Sequence, residues 1–252
     1  MDKNIGIIIQ ARMGSTRLPG KILRKFYGDK TLIEILLDTL HRTKLPKVIV
    51  ATSVNSDNDI LETFLTKKGE LVYRGSENDV LDRFIKAAIA NQIDGIIRIC
   101  SDNPFLDYTG IYQLVQKAKS CDADYIGFRI NGKPSIQSHF GFWGEYVSLK
   151  ALMKVASTTE SNSPAHEHVT IHIYSHPEEF KCEWIECPDF LQGRNDIRLT
   201  IDTNEDFINA QTVYSAIKQT NDNFSLEDIV AYLNIHEELT QSMLYNISNN
   251  SK

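Results

Sequence analysis

The sequence predicts an α/β protein in which helices pack around a mainly parallel sheet. Three observations lead there. Apolar runs of strand length alternate with stretches of 3.6-residue periodicity over most of the 252 residues, as successive strand–helix units require. Hydrophobic residues make up 42% and charged residues 24%, the balance of a globular chain, which rules out a mostly disordered, collagen-like or disulfide-dense one. At about 150 residues per domain the length suits one or two domains. The rhythm supports a single domain over residues 1–240, with 241–252 as a tail.

Asn4–Gln10 reads as the first strand, followed by a polar, glycine-bearing loop to about Lys30. Thr31 and Glu34 form a capping box ahead of Leu32, Ile33, Leu36, Leu37 and Leu40, so a helix starts there. Lys47–Thr52 is a second strand, and a helix near Asp57–Lys68 places Ile60, Leu61, Phe64 and Leu65 on one face. A short strand around Leu71 follows, then a helix capped by Asn78 and carrying Val80, Leu81, Phe84, Ile85, Ala88 and Ile89. Gly95–Cys100 is a third long strand, ended by SDNP, because Pro104 cannot continue a ladder. Asp107 caps a further helix with Ile111, Leu114, Val115 and Ala118. After Tyr125–Arg129 the rhythm breaks, and residues 132–191 read as an excursion or lid on the same domain. Within it Phe140, Phe142 and Trp143 alternate as in a half-buried strand. Ile197–Ile201 reads as a strand returning to the sheet, with helices after Thr203 and Ser225 and a frayed end at SNNSK.

Net charge is −6, from 27 Lys and Arg against 33 Asp and Glu. Residues 1–30 hold seven basic and two acidic residues, a local +5 that leaves −11 elsewhere. An acidic body disfavours nucleic-acid binding, whereas one basic segment suits a small polyanion. No apolar run approaches the ~20 residues of a membrane span, and the apolar stretch at Ile5–Ile9 is too short for a signal peptide. Cys100, Cys121, Cys182 and Cys187 show no CxxC spacing. The expectation is a reduced, cytoplasmic protein.

Doubly wound sheets bind ligands beyond the carboxyl ends of their strands, so the loops after Gln10, Cys100 and Ile201 belong together. ARMGSTRLPGK departs from a GxxxxGK[ST] phosphate loop twice: five residues separate Gly14 from Gly20, and Ile22 replaces the hydroxyl residue. What remains is a loop offering backbone N–H groups near Gly14 and Ser15, with Arg12, Arg17 and Lys21 as cationic arms. Arginine clamps phosphate oxygens bidentately and lysine adds a movable point charge, so this chemistry fits a triphosphate. Asp102 and Asp202 each follow an apolar strand, in RICSDNP and RLTIDTNED, and such paired carboxylates are hard oxygen ligands for Mg2+. The structural alternative is an Asx turn at Asp102 and a helix cap at Asp202.

These motifs carry a resemblance. ARMGSTRLPGK is similar to the signature of the cytidylyltransferases that make CMP-activated sugar acids, of the acylneuraminate and 3-deoxy-manno-octulosonate type. YRGSENDVLDRF, SDNP, HFGFWGEYVSLKAL, EHVT and IDTNEDF look more like the subset named for a spore-coat polysaccharide biosynthesis protein. The match spans roughly residues 4–215 in the family's order. It implies a Rossmann-like nucleotidyltransferase fold, a mixed, mainly parallel sheet with helices on both faces and a dimerising excursion. It also implies transfer of CMP from CTP to a small acidic acceptor with release of pyrophosphate, for surface polysaccharide precursors. By the same carry-over Ala11, Arg12 and Lys21 contact the triphosphate, Arg74, Gly75 and Ser76 lie near the cytosine, and Asp102 and Asp202 hold Mg2+. Asn204 stands where sialate-type enzymes carry a further aspartate, and SDNP replaces the GD of many octulosonate enzymes. Both departures bear on the acceptor rather than the reaction.

Arg129, His139, Glu167 and His168 are candidates for acceptor contacts, as carriers of charge or on the HEH segment; HExxH, the zinc motif, is absent. Asp122 and Asp124 form a DxD, which would suit a nucleotide-sugar glycosyltransferase, although a helix-to-strand turn explains it as well. Phe140, Phe142, Trp143, Tyr146, Tyr174 and Trp184 concentrate in the excursion. Aromatic residues are enriched in interfaces, so a homodimer through about Gly132–Leu191 is expected, with an intramolecular lid as the alternative.

Overall fold

Ile7 and Ile9 of the strand β1 (Ile5–Gln10) pack into one hydrophobic core and Ile8 into a second. Such two-sided burial is the mark of a strand covered by helices on both faces. The structure is a computed structural model that describes residues 3–45 and 47–249. In chain order the elements after β1 are β2 (Lys25–Tyr27), β3 (Lys30–Thr31), α1 (Leu32–His41), β4 (Val48–Ser53), α2 (Asp59–Lys67), β5 (Leu71–Gly75) and α3 (Val80–Ala90). Next come β6 (Gly95–Cys100), α4 (Tyr108–Ser120), β7 (Tyr125–Ile130), β8 (Lys133–Pro134), β9 (Glu145–Ser148) and α5 (Leu149–Thr158). The chain closes with α6 (Ala165–His168), α7 (Ile171–Ser175), β10 (Cys182–Glu186), α8 (Asn204–Thr220), α9 (Leu226–Ile235) and α10 (Glu237–Asn249).

The main sheet runs β10-β7-β9-β6-β1-β4-β5, with β8 paired to β7. All neighbours are parallel except that β9 runs against β6 and β7, and β8 against β7. The fold is thus the mixed, mainly parallel α/β architecture expected. Gln10 lies opposite both Ala51 and Cys100, and Ser53 opposite Gly75. That register sends the segments after β1, β4, β5 and β6 out of one edge. Among the described residues no helix is long and apolar enough to cross a membrane.

Several local expectations change in three dimensions. Asp79, not Asn78, caps α3 by accepting from the Asp82 amide. Ile60 and Ile89 are exposed, because the buried faces of α2 and α3 centre on Leu61 with Leu65 and on Leu81 with Phe84. Ile197–Ile201 is not a strand. Its Leu199 and Thr200 amides donate to the carbonyl of His139, a pairing too brief to form a ladder. Residues 132–191 are not wholly an excursion either, since they supply β8, β9 and β10. Phe140, Phe142 and Trp143 precede β9 in an irregular segment, and all three are buried, as is Tyr146. The expected tail from 241 continues α10, whose Met243 is fully buried. Of SNNSK, Asn250–Lys252 lie outside the described residues.

Inserting β9 places a charge inside the sheet. Glu145 accepts from Nη1 of Arg98 at 2.7 Å, from Thr170 Oγ1 at 3.0 Å and from the Tyr125 hydroxyl. Arg98 Nη2 reaches Gln10 Oε1 at 3.2 Å. Burial first, then the neighbouring Glu145 carboxylate, pushes the Tyr125 phenol well above its usual range, so it stays a donor.

The capping box of α1 forms as its sequence predicts. Glu34 Oε2 accepts from the Thr31 amide at 2.8 Å, and Oε1 pairs with Lys68 at 2.7 Å. Burial opposes this charge, but the bonds from Lys68 and Thr31 outweigh it and hold the carboxyl at about 2, against an ordinary 4.5. A depressed folded-state value stabilises the fold above the unfolded value and is lost as pH falls through the folded one. Glu34→Gln is therefore expected to cost about 1–3 kcal/mol at neutral pH. The deficit should close as pH falls from 4.5 toward 2, followed by urea unfolding at several pH values; a deficit unchanged at the acid end would assign it to packing.

Candidate active site

The loop after β1 is shaped by its own short-range bonds. The Met13 carbonyl accepts the amides of Ser15 and Gly20, each at 3.0 Å, and the Met13 amide donates to Asn58 Oδ1 at 2.8 Å. Gly20 adopts φ +68° and turns the chain into Lys21–Leu23. The Ser15 amide is thereby committed within the loop, while Gly14 is exposed with nothing near its Cα. Ala11, buried, fixes the start of the loop by donating to Ala51.

Lys21 is the least exposed of the three arms. It is buried, at 8% exposure, and its ammonium donates to the carbonyl of Ile201 and lies 3.3 Å from Asp102 Oδ2. The Ile201 amide in turn donates to the Asp102 carbonyl at 2.9 Å. Asp102 and Asp202, a hundred residues apart in the chain, are therefore brought to one place with the phosphate-type loop. Arg17 pairs with Asp202 Oδ1 at 3.0 Å and is half exposed. Thr203, not Asp202, caps α8, with Asp206 completing a capping box.

Sequence reading missed the residue that holds Asp202. Arg198 has no exposed surface, yet it reaches Asp202 Oδ2 at 2.9 Å, both oxygens of Asp206 at 2.7 and 3.0 Å, and His139 Nδ1 at 2.6 Å. A guanidinium only donates, so His139 accepts at Nδ1 and carries its proton on Nε2. The Arg198 bonds outweigh burial and keep the Asp206 carboxyl below its ordinary value. The signal was present as Arg, Asp and Asp at i, i+4 and i+8, but the strand expected at 197–201 masked it.

On the β5 side Arg12 faces Glu77 at 3.8 Å and Glu167 at 3.6 Å. Ser76 is turned to the N-terminus of α3, where its Oγ accepts the Asp79 amide. Arg74 is tied away from the loop: it donates to the carbonyls of Ser53 and Asn55 and pairs with Asp59 and Glu62. Gly75 is required by packing, since a Cβ there would stand 2.9 Å from Arg83 Cγ.

Glu167 and His168 sit on α6, which ends in a strained turn. Val169 has φ +50° and ψ −57°, and the Thr170 amide closes on the His168 carbonyl. A β-branched residue there costs on the order of 1–3 kcal/mol. It is held because Val169 is fully buried and Thr170 is bonded to Glu145. His166 bonds Asp79 at 2.7 Å, whereas His168 is exposed. Arg129 pairs with Glu186 at the end of β7, with β9 between that strand and β6. His139 is joined to the aspartate pair through Arg198.

Asp122 and Asp124 precede β7, on the opposite edge from these loops. Asp122 pairs with Lys181 and Asp124 accepts the Lys181 amide, so the DxD is a turn and does not support a glycosyltransferase site. Among the described residues no three His, Cys, Asp or Glu side chains are grouped to hold a metal by themselves. Asp102 and Asp202 are hard oxygen donors of the type a divalent cation takes together with phosphate oxygens and water. A cleft of about 790 Å³, lined by Tyr27, Asp38, Phe105, Trp143 and Phe224, includes neither Asp102 nor Asp202 nor an arginine of the loop after β1. Size alone does not locate the chemistry.

Arg198→Met is expected to destabilise the fold by about 3–5 kcal/mol, because it leaves Asp206 buried and unpaired. Chemical unfolding measures this; a loss below about 1 kcal/mol would show that Asp206 finds another partner.

The family profile described as Cytidylyltransferase matches residues 6–250. Spore coat polysaccharide biosynthesis protein SpsF of Bacillus subtilis is 34% identical over 236 residues, covering 92% of this chain and 94% of its own. A cytidylyltransferase from Leptospira borgpetersenii superposes with a TM-score of 0.80 at 30% identity, over 95% of this chain and 97% of that one. The CMP:2-keto-3-deoxy-manno-octonic acid synthetase solved with CTP shares the fold, with a TM-score of 0.64 at 14% identity over 86% and 99% of the two chains. The chain belongs to the cytidylyltransferase family of nucleotidyltransferases.

Proposed function

We propose that the protein transfers CMP from CTP to a small acidic acceptor, a sugar acid or a phosphorylated small molecule, in the synthesis of surface polysaccharide precursors. One observation carries this: the cationic loop with Arg12, Arg17 and Lys21 meets Asp102 and Asp202 at a single sheet edge. An acceptor oxygen, either a hydroxyl that loses its proton to solvent or an already ionised phosphate oxygen, attacks the α-phosphorus as the bond to the β-phosphate oxygen breaks and pyrophosphate leaves. Arg12, Arg17 and Lys21 receive the β- and γ-phosphate oxygens and stabilise the charge that grows on the leaving group.

Asp102 and Asp202 would hold Mg2+, which when bound neutralises triphosphate charge and favours in-line geometry. Both carboxylates are paired with cationic arms here, so nucleotide binding exchanges partners: the arms pass to phosphate as the carboxylates are taken up. Backbone groups at Gly14, Ser15, Gly75 and Ser76 border the nucleotide, and Arg74 braces the β5 edge through Glu62. Arg129, His139, Glu167 and His168 are the acceptor-side candidates, of which Glu167 is the one in contact with the loop.

We further propose a single cytoplasmic domain that works as a homodimer through the 132–191 region. Phe140, Phe142, Trp143 and Tyr146 are spent on the core, which leaves half-buried Tyr174 and Trp184, packed on Tyr125, as its outward aromatics. Light scattering at micromolar concentration should give twice the mass of one chain, and a single-chain mass would exclude the dimer.

Pyrophosphate release with CTP, ATP, GTP and UTP over an acceptor panel tests the reaction; strong preference for another nucleotide would overturn it. Asp102→Ala and Asp202→Ala should each lower turnover at least ~100-fold, about 2.7 kcal/mol of barrier, with the circular-dichroism melt retained. Preserved turnover with a lowered melting temperature would return both residues to structural roles.

A further inference from the structure

Three charged side chains, Glu77, Glu167 and Arg83, gather around Arg12. Its guanidinium stands between two carboxylates from different elements, Glu77 after β5 and Glu167 on α6, at 3.8 and 3.6 Å. Both separations exceed those of charge-assisted hydrogen bonds, about 2.7–2.9 Å, so Arg12 is loosely held. Close by, Arg83 of α3 has no exposed surface. Its Nη1 donates to the Ser76 carbonyl at 2.6 Å. Its Nε and Nη2 are buried with no hydrogen-bond partner, and so is Glu77 Oε2. Glu77 directly follows Ser76, whose carbonyl Arg83 holds, and against the burial that lowers the Arg83 pKa the carboxylates of Glu77, Glu167 and Asp79 act to raise it, while Arg12 lowers it further. Unpaired buried groups of opposite charge are costly where they stand.

We propose that Glu77 and Glu167 are placeholders on Arg12 that the triphosphate displaces, that Glu77 then passes to the unpaired nitrogens of Arg83, and that Glu167 is delivered to a hydrogen-bond donor of the acceptor. The inference rests on the cytidylyl-transfer reading. Two carboxylates share one guanidinium, so each is held by less than a full ion pair. Phosphate oxygens compete well for Arg12 because they accept bidentately. Glu77 has a destination, since moving to Arg83 satisfies three orphaned polar atoms at once. Glu167 acts on Arg83 more weakly than Glu77 does, and among the described residues Arg12 is the only cation within 4 Å of it. A freed carboxylate is acceptor-only, so it selects a hydroxyl or ammonium group on the acceptor, and it repels a phosphate monoester, of charge about −1.5 to −2, more strongly than a singly charged sugar acid. Of the two acceptor classes, polyhydroxylated or amino-bearing sugar acids are therefore favoured. Arg83 acts as a positioning residue, Glu167 as a specificity residue.

Calorimetric titration of CTP with Mg2+ tests the exchange. Glu167→Gln should bind CTP roughly 3–10-fold more tightly, because a competitor for Arg12 loses its charge. Arg83→Met should weaken CTP binding by a similar factor without touching the nucleotide, and that loss should vanish in the Glu77→Gln background. Arg83→Lys, which keeps the charge, should bind almost as the parent does and serves if Arg83→Met fails to fold. Additive effects of the Arg83 and Glu77 changes, or unchanged or weaker binding by Glu167→Gln, would overturn the exchange while parental CTP binding leaves the transferase reading standing. Failure of the parent to bind CTP would remove both. With 3-deoxy-manno-octulosonate, N-acetylneuraminate and sugar 1-phosphates as acceptors, the parent should release more pyrophosphate with a sugar acid. Glu167→Gln should raise acceptor KM at least tenfold with kcat changed less. Faster turnover of a phosphate monoester would overturn the assignment of Glu167.

Discussion

Lys21 and two hydrogen bonds hold the site together. The ammonium bridges the Asp102 carboxylate and the Ile201 carbonyl, and the Ile201 amide closes on the Asp102 carbonyl. Three segments, after β1, after β6 and before α8, are thereby fastened at one sheet edge. The parallel register opposite Gln10 determines where that edge lies. A buried ammonium needs a close anion and a carbonyl to offset its lost hydration, so the loop, Asp102 and the chain preceding Asp202 can occupy this arrangement only together.

Charge is balanced locally throughout the site. Lys21 faces Asp102, Arg17 and Arg198 face Asp202, and Arg12 faces Glu77 and Glu167. In a protein with a net charge of −6, seven of the 27 Lys and Arg fall in residues 1–30, and Arg12, Arg17 and Lys21 among them stand on the loop after β1. The carboxylates that keep them in place have oxygen chemistry suited to magnesium or to hydrogen-bond donors. Arg198 differs from Arg12, Arg17 and Lys21 in having no solvent exposure; it fixes Asp202 from behind through Asp206 and His139.

The second half of the chain is integrated into the sheet. β9 enters antiparallel between β6 and β7, and its Glu145 ties Arg98, Tyr125 and Thr170 into one buried group. Thr170 follows the strained Val169 turn, so the position of α6 and Glu167 is set from the middle of the sheet. The aromatic residues of 140–146 pack into this junction, with Phe128 stacked on Trp143 at 4.7 Å. Burial and interface enrichment give the same aromatic signal in a sequence.

Local patterns by themselves determined the α/β class, the long strands, the caps at Thr31 and Asp107, the helices after Thr203 and Ser225, and the loops where chemistry was expected. Each depends on near neighbours: side-chain periodicity, a capping hydroxyl or carboxylate, a proline that ends a ladder. That Lys21 and Asp102 meet the segment carrying Asp202 was legible because each stands in a short motif at the end of a strand or apolar run. Tertiary structure alone decided that β9 runs antiparallel, that Ile197–Ile201 forms no strand, that Arg74 turns to α2, and that Met243 closes the core. It also decided that Arg198, Arg83, Glu77 and Glu145 carry the charge balance. A sequence records a charged residue's type but not its burial or partner, and those are set by contacts between segments that only the folded chain brings together.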